Sequence, residues 1–226
     1  MNMIIPDSRA RATPRIGRLH LVTDTTVQSR HTHAELAERA IAGGVDTVQY
    51  RSKSTDFRLL LNEAAEVAEV CRGAGVLFVV NDRVDLCIAA GADGVHLGRS
   101  DMPVSIARSI LGPNRIIGGT VRNRAELSAA VEEGADYVGL GPVFATRSKS
   151  VAHTPLGLET VAAVANDASV PVIAIAGITQ SNLLEVLHAG VFGVAVIGAI
   201  ATADDVTAAA AALSETMRKA REWWSE

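Results

Sequence analysis

AAGADGVHLG (residues 89–98) and EEGADYVGLG (132–141) share one form: the end of a helix, a glycine, then two or three residues leading into a strand. AGGVDTVQ (42–49) and HAGVFGVAVIG (188–198) repeat it. Glycine suits the left-handed position that ends a helix. The repeated unit is therefore a helix handing over to a strand, not a solenoid repeat of fixed length.

Extending that register along the chain yields eight β-rich runs: 19–23, 47–51, 77–81, 94–97, 115–119, 137–141, 172–176 and 193–198. Amphipathic helical patterns separate them at about 33–43, 56–74, 83–90, 103–111, 123–133, 157–167, 179–189 and 203–222. Thr32, Thr55–Asp56 and Thr179 stand at helix starts as cap or first-turn residues. Strict βα alternation implies a parallel sheet, and eight such units imply an α/β fold of the (β/α)8 TIM-barrel type. A doubly wound open sheet is the alternative. No Gly-rich dinucleotide fingerprint follows the first strand, LHLVTDTTVQ, and that weakens it.

The length and composition fit one globular domain, the barrel over 16–226, preceded by a flexible tail over 1–15. The chain has 226 residues, 48% of them hydrophobic, and a net charge of −4. The charge argues against general nucleic-acid binding. No apolar run reaches the roughly 20 residues of a membrane span. The opening MNMIIPDSRARATPR lacks the apolar core of a secretion signal. Cys71 and Cys87 have neither metal-ligand spacing nor disulfide density, as expected for reduced core thiols in a cytoplasmic protein. Oligomeric state stays open, a homo-oligomer included.

In a TIM barrel, ligands bind at the C-terminal ends of the strands. Those ends carry Thr23 and Asp24; Gln49, Arg51 and Lys53; Asn81, Asp82 and Arg83; His96, Arg99 and Asp101; Thr120 and Arg122; GPVFATRSKS (141–150); Gly177; and Ile197–Gly198. Gln49, Arg51 and Lys53 are two apart, so a strand would send all three the same way. Only Lys53, Lys149 and Lys219 of the 21 basic residues are lysine, and two of these fall in strand-end loops. Asp82 and Asp101, from neighbouring units, suit a Mg²⁺ shared with substrate phosphates; each also precedes a helix and suits a cap. Gly177 and Gly198 fit either a phosphate loop or close helix–strand packing. The polar stretch 145–157 is long for a βα loop and reads as a binding loop or a solvated one. His96 supports the site through a hydrogen bond. His20 and His188 read as structural, His31 and His33 as surface, and His153 as the histidine to test for a ligand role. No Ser/His/Asp or Cys/His set emerges. Trp223 and Trp224 read as a cover for the barrel bottom or a subunit contact.

From about residue 17 to 215 the chain resembles the thiamine-phosphate synthase family. Gln-x-Arg-x-Lys (49–53), Asn-Asp-Arg (81–83), GVHLG followed by Asp101, GLGPVF followed by Thr-x-Ser-Lys (146–149), AIAGI and AVIGAI carry the resemblance. It implies a transferase that condenses 4-amino-2-methyl-5-hydroxymethylpyrimidine diphosphate with a thiazole phosphate, giving thiamine phosphate and pyrophosphate by Mg²⁺-assisted dissociative displacement. It further implies that Gln49, Arg51, Lys53, Asn81, Thr120 and Lys149 bind the pyrimidine diphosphate, with Arg51, Lys53, Thr120 and Lys149 acting in catalysis. Thr146, Ser148, Gly177, Ile197 and Gly198 then hold the thiazole phosphate, and Asp82 and Asp101 the metal. Thr120 replaces a usual Ser, Ser148 a Thr, Arg122 a common His, Ala176 a Gly and Gly198 a Ser. A thiazole tautomerase of the same superfamily and a non-catalytic paralogue that binds thiamine precursors are the alternatives. The tautomerase would not need the two aspartates.

Overall fold

The computed structural model describes residues 16–145 and 154–223, side chains of 221–223 excepted. The repeat glycines turn as the sequence requires. Gly44, Gly91, Gly134 and Gly190 have φ of 97°, 66°, 96° and 84°, a left-handed conformation open to glycine at little cost.

Eight strands follow: β1 (Leu19–Thr23), β2 (Thr47–Tyr50), β3 (Leu77–Asn81), β4 (Gly94–Leu97), β5 (Ile116–Val121), β6 (Tyr137–Leu140), β7 (Val172–Ile175) and β8 (Gly193–Val196). They close a parallel barrel in sequence order, with β8 returning to β1. The helices between them are α1 (His33–Ala42), α2 (Phe57–Ala74), α3 (Val84–Ala89), α4 (Val104–Leu111), α5 (Arg124–Glu132), α6 (Gly157–Asp167) and α7 (Leu183–His188). A short α8 (Gly198–Ala201) and the long α9 (Val206–Trp223) end the chain's described part. The fold is the TIM barrel that the alternation implied.

An aspartate recurs in three copies of the repeat, and its position explains the motif. Asp46 accepts from the N–H groups of Arg18 and Leu19, both at 2.9 Å. Asp93 accepts from Phe78 N–H and Asp136 from Ile117 N–H, each at 2.8 Å. Each carboxylate leads into one strand and accepts from one or two N–H groups at the start of the strand before it. Arg108 also pairs with Asp136. In the fourth copy Phe192 takes this place, and the Arg18 guanidinium lies 5.2 Å from its ring centre.

Side-chain alternation divides the core in two. Leu21, Val48, Val80, Val95, Ile117, Val138 and Val194 face outward and pack under the helices. Val22, Ile116, Tyr137, Ile173 and Ala195 fill the barrel. Gly118 makes room inside it: a Cβ there would strike the Tyr137 ring and come within 2.6 Å of His96 Nδ1.

Three local expectations are corrected. The α7 helix starts at Leu183 rather than at Thr179. Asn182 Oδ1 accepts from Thr179 N–H at 2.8 Å and its Nδ2 donates to the Gly177 carbonyl at 3.0 Å, so a side-chain-locked turn occupies the predicted first turn. Run 193–198 leaves the sheet after Val196, and Gly198 opens α8. His33 is buried, not a surface residue: Nδ1 lies 2.7 Å from Thr23 Oγ1 and the ring packs edge-on against Tyr50. Thr32 and Asp56 do cap α1 and α2 as expected.

Buried His20 makes stability depend on acid. Its Nε2 lies 3.0 Å from the Gly17 carbonyl oxygen, and burial pushes its pKa down to about 4. The unfolded chain titrates near 6.5 and so takes up a proton that the folded chain refuses. Stability is therefore complete above about pH 6.5 and falls as pH drops toward 4, by about 3 kcal/mol for this group. His33, also lowered by burial, adds a slope of the same sign. Urea unfolding between pH 4 and 7.5 should show the fall, and His20→Gln should flatten it.

Candidate active site

The barrel interior changes character toward the C-terminal ends of its strands. Inward positions run Val22 to Asp24, Thr47 to Gln49 to Arg51, and Val79 to Asn81. Gly94 leads to His96, and Gly118 to Thr120. Apolar or small side chains lie below, amides and charges above. Gln49 and Arg51 are buried, as one face of an inward strand requires. Lys53 lies beyond β2 on an exposed loop, so loop geometry rather than strand alternation places it.

Arg51 has a partner whose role sequence reading missed. Its guanidinium pairs with the fully buried Asp24 carboxylate. Asp24 Oδ1 in turn accepts from Thr26 N–H at 2.9 Å and Thr26 Oγ1 at 2.6 Å. Burial lowers the Arg51 pKa, against the attraction of Asp82. Arg51 N–H also donates to Thr23 Oγ1 at 3.4 Å. Asp24 shares the inward alternation of His20 and Val22, and that was the available signal.

Asp82 leaves β3 with φ of 66°, a left-handed conformation that Asp tolerates better than most residues. Its N–H donates to the His96 carbonyl at 2.8 Å, extending the β3–β4 ladder. Neither aspartate is a helix cap: α3 is entered through Arg83 and α4 through Pro103, each without a side-chain cap bond. Asp101 instead accepts from Gly98 N–H at 2.6 Å. Partial burial, and then the hydrogen bond and charge of Asp101, push the Asp82 pKa up to about 6, while Arg51 and Lys53 pull it down. Two facing carboxylates need a proton or a cation between them. A Mg²⁺ fits that donor set, because it uses one or two carboxylates and completes its shell with water and phosphate. Among the described residues no group of three His, Cys, Asp or Glu side chains gathers around a metal position.

Thr120 is held from within the barrel. His96 Nε2 lies 2.9 Å from Thr120 Oγ1, and His96 Nδ1 lies 3.0 Å from the Tyr137 hydroxyl. The supporting role expected for His96 is met; that of Tyr137 was not foreseen. Burial holds the Tyr137 phenol well above its ordinary pKa.

At the β7–α7 turn Ala176 and Gly177 both have positive φ, 82° and 70°. A Cβ on Gly177 would come within 2.6 Å of Phe144 Cβ and 2.7 Å of the Ala145 carbonyl oxygen, so the β6 and β7 loops close only on glycine. Ala176, at the place where a second glycine was expected, holds a left-handed backbone. Ile197 precedes α8, and a Cβ on Gly198 would meet nothing within 4 Å. Thr146, Ser148, Lys149 and His153 lie outside the described residues, as do the 1–15 tail and Trp224. No helix among the described residues is long and apolar enough to cross a membrane. Cys71 and Cys87 are buried and free.

A family model described as thiamine monophosphate synthase matches residues 19–200. A thiamine-phosphate synthase of Chloroflexus aurantiacus is 45% identical over 207 residues, covering 90% of this chain and 95% of that protein. One of Salinibacter ruber is 47% identical over 194 residues, covering 86% of each. The solved thiamine phosphate pyrophosphorylase from Pyrococcus furiosus superposes with a TM-score of 0.82 at 36% identity, over 90% of this chain and 96% of that one.

Proposed function

The chain belongs to the thiamine monophosphate synthase family, and we propose that it joins 4-amino-2-methyl-5-hydroxymethylpyrimidine diphosphate to a thiazole phosphate. The C–O bond to the diphosphate breaks and its electron pair leaves with the diphosphate. The pyrimidine stabilises the resulting carbocation, and the thiazole nitrogen closes the new C–N bond. The products are thiamine phosphate and pyrophosphate.

The observation that carries this reading is one mouth combining a buried, ion-paired Arg51 with the facing carboxylates of Asp82 and Asp101. A departing diphosphate needs its growing charge met by groups already in place. Arg51, Lys53 and Lys149 supply positive charge, Asn81 an amide donor, and Gln49 a polar group on the same β2 face. Thr120 supplies a hydroxyl. When Tyr137 donates to His96 and His96 to Thr120, the Thr120 proton is free for a phosphate oxygen. Asp82 and Asp101 hold Mg²⁺, which when bound neutralises diphosphate oxygens. Thr146, Ser148, Gly177, Ile197 and Gly198 take the thiazole phosphate. Buried free thiols suit a cytoplasmic enzyme.

Purified protein is mixed with both substrates and Mg²⁺, and the product is oxidised to fluorescent thiochrome. Fluorescence should appear, vanish with EDTA and return with excess Mg²⁺. Folded protein that binds thiazole phosphate but makes no thiochrome would instead be a tautomerase or a binding paralogue.

A further inference from the structure

Arg122 stands where the resemblance led us to expect histidine. It follows Thr120 on the inward alternation, just beyond the end of β5, as Arg51 follows Gln49 on β2. Its main-chain N–H donates to Glu126 Oε2 at 2.8 Å. The other oxygen of Glu126 lies 3.4 Å from Nη2 of Arg99, which belongs to the loop that carries Asp101. Arg122 Nη2 donates to the Thr154 carbonyl at 2.9 Å. The main chain of Arg122 is thus tied through Glu126 to the β4–α4 loop, and its guanidinium to the approach to α6, on the C-terminal face of the barrel.

One nitrogen of this guanidinium is buried without an acceptor. Arg122 Nε is buried and has no hydrogen-bond partner. A buried, charged donor without an acceptor costs more than a neutral one. Here it sits beside a mouth built for anions. We propose that Arg122 is a substrate-binding residue whose Nε–H donates to a phosphate oxygen of the pyrimidine diphosphate, and that Thr154 orients the guanidinium for that contact. This rests on the synthase reading above. It adds a cation just beyond β5 to those just beyond β2, and it assigns a function to a position where arginine replaces histidine.

Titration calorimetry with inorganic pyrophosphate plus Mg²⁺, and separately with thiazole phosphate, tests the assignment. Arg122→Ala should weaken pyrophosphate about tenfold or more, the loss of one charge-assisted hydrogen bond, and leave thiazole phosphate unchanged. Arg122→Lys should restore part of the affinity, since it returns charge without the planar donor pair. Unchanged pyrophosphate affinity in Arg122→Ala overturns the proposal, as does an equal loss for both ligands with a lowered melting temperature. A parent protein that makes thiamine phosphate while Arg122→Ala binds pyrophosphate normally sinks this proposal alone. A parent that neither binds pyrophosphate nor makes thiamine phosphate sinks the synthase reading with it.

Discussion

Asp82→Asn should cost on the order of 100- to 1,000-fold in turnover, the scale seen when one pre-placed electrostatic group is removed from a transition state. The same change should not weaken the fold. Asparagine accepts the left-handed backbone at φ 66° as aspartate does, so no strain is added. The substitution also removes a carboxylate held against Asp101. Asp82 titrates near 6 in the folded protein and lower when unfolded. Below the unfolded value its contribution is complete, and it is lost as pH rises through about 6. The variant lacks that loss, so its melting temperature should match or exceed the parent's above pH 6 in metal-free buffer. Mg²⁺ should raise the parent's melting temperature at pH 7.5 and the variant's much less. A variant that kept its activity and melted early would show the carboxylate to be structural, and Asp101→Asn would then be tested for the metal role.

Breaking the Asp24–Arg51 pair should damage both activity and fold, and a double variant should separate the two. Both residues are buried, Asp24 completely. Losing one partner strands the other charge away from water, at a cost of about 3–5 kcal/mol. Arg51→Met should therefore lower stability by that order and abolish turnover, because a cation at the diphosphate is gone. Asp24→Asn should lower stability and raise KM for the pyrimidine diphosphate more than it lowers kcat, since the guanidinium is still present but poorly aimed. The double variant Asp24→Asn/Arg51→Met should recover most of the stability and none of the activity. Denaturant unfolding beside the thiochrome assay reads both. Full activity in Asp24→Asn would show that Arg51 needs no orienting partner.

The parts of this protein read correctly from its sequence are those specified by local rules. A glycine that turns left after the helix in each copy of the repeat, a period of two in the strands and a period near 3.6 in the helices implied eight βα units and hence the closed parallel sheet. The same alternation told which residues of VDTVQYR face one way, and barrel topology told that strand ends form the mouth. Other features depend on what touches what across distant chain segments. His33 precedes a helix in a polar stretch and looked exposed, yet Thr23 and Tyr50 close over it. The helix predicted from Thr179 is displaced by an asparagine side chain that reaches back to Gly177. Asp82 and Asp101 suited caps as well as metal in the sequence, but α3 is entered through Arg83 and α4 through Pro103, each without a side-chain cap bond. Local pattern determined the elements and their order; only the closure of the barrel decided that Asp24 holds Arg51 and that Tyr137 reaches Thr120 through His96, because each is a through-space contact between residues on different βα units, and that Arg122 keeps one buried donor at the mouth, because burial is set by the segments that pack around it.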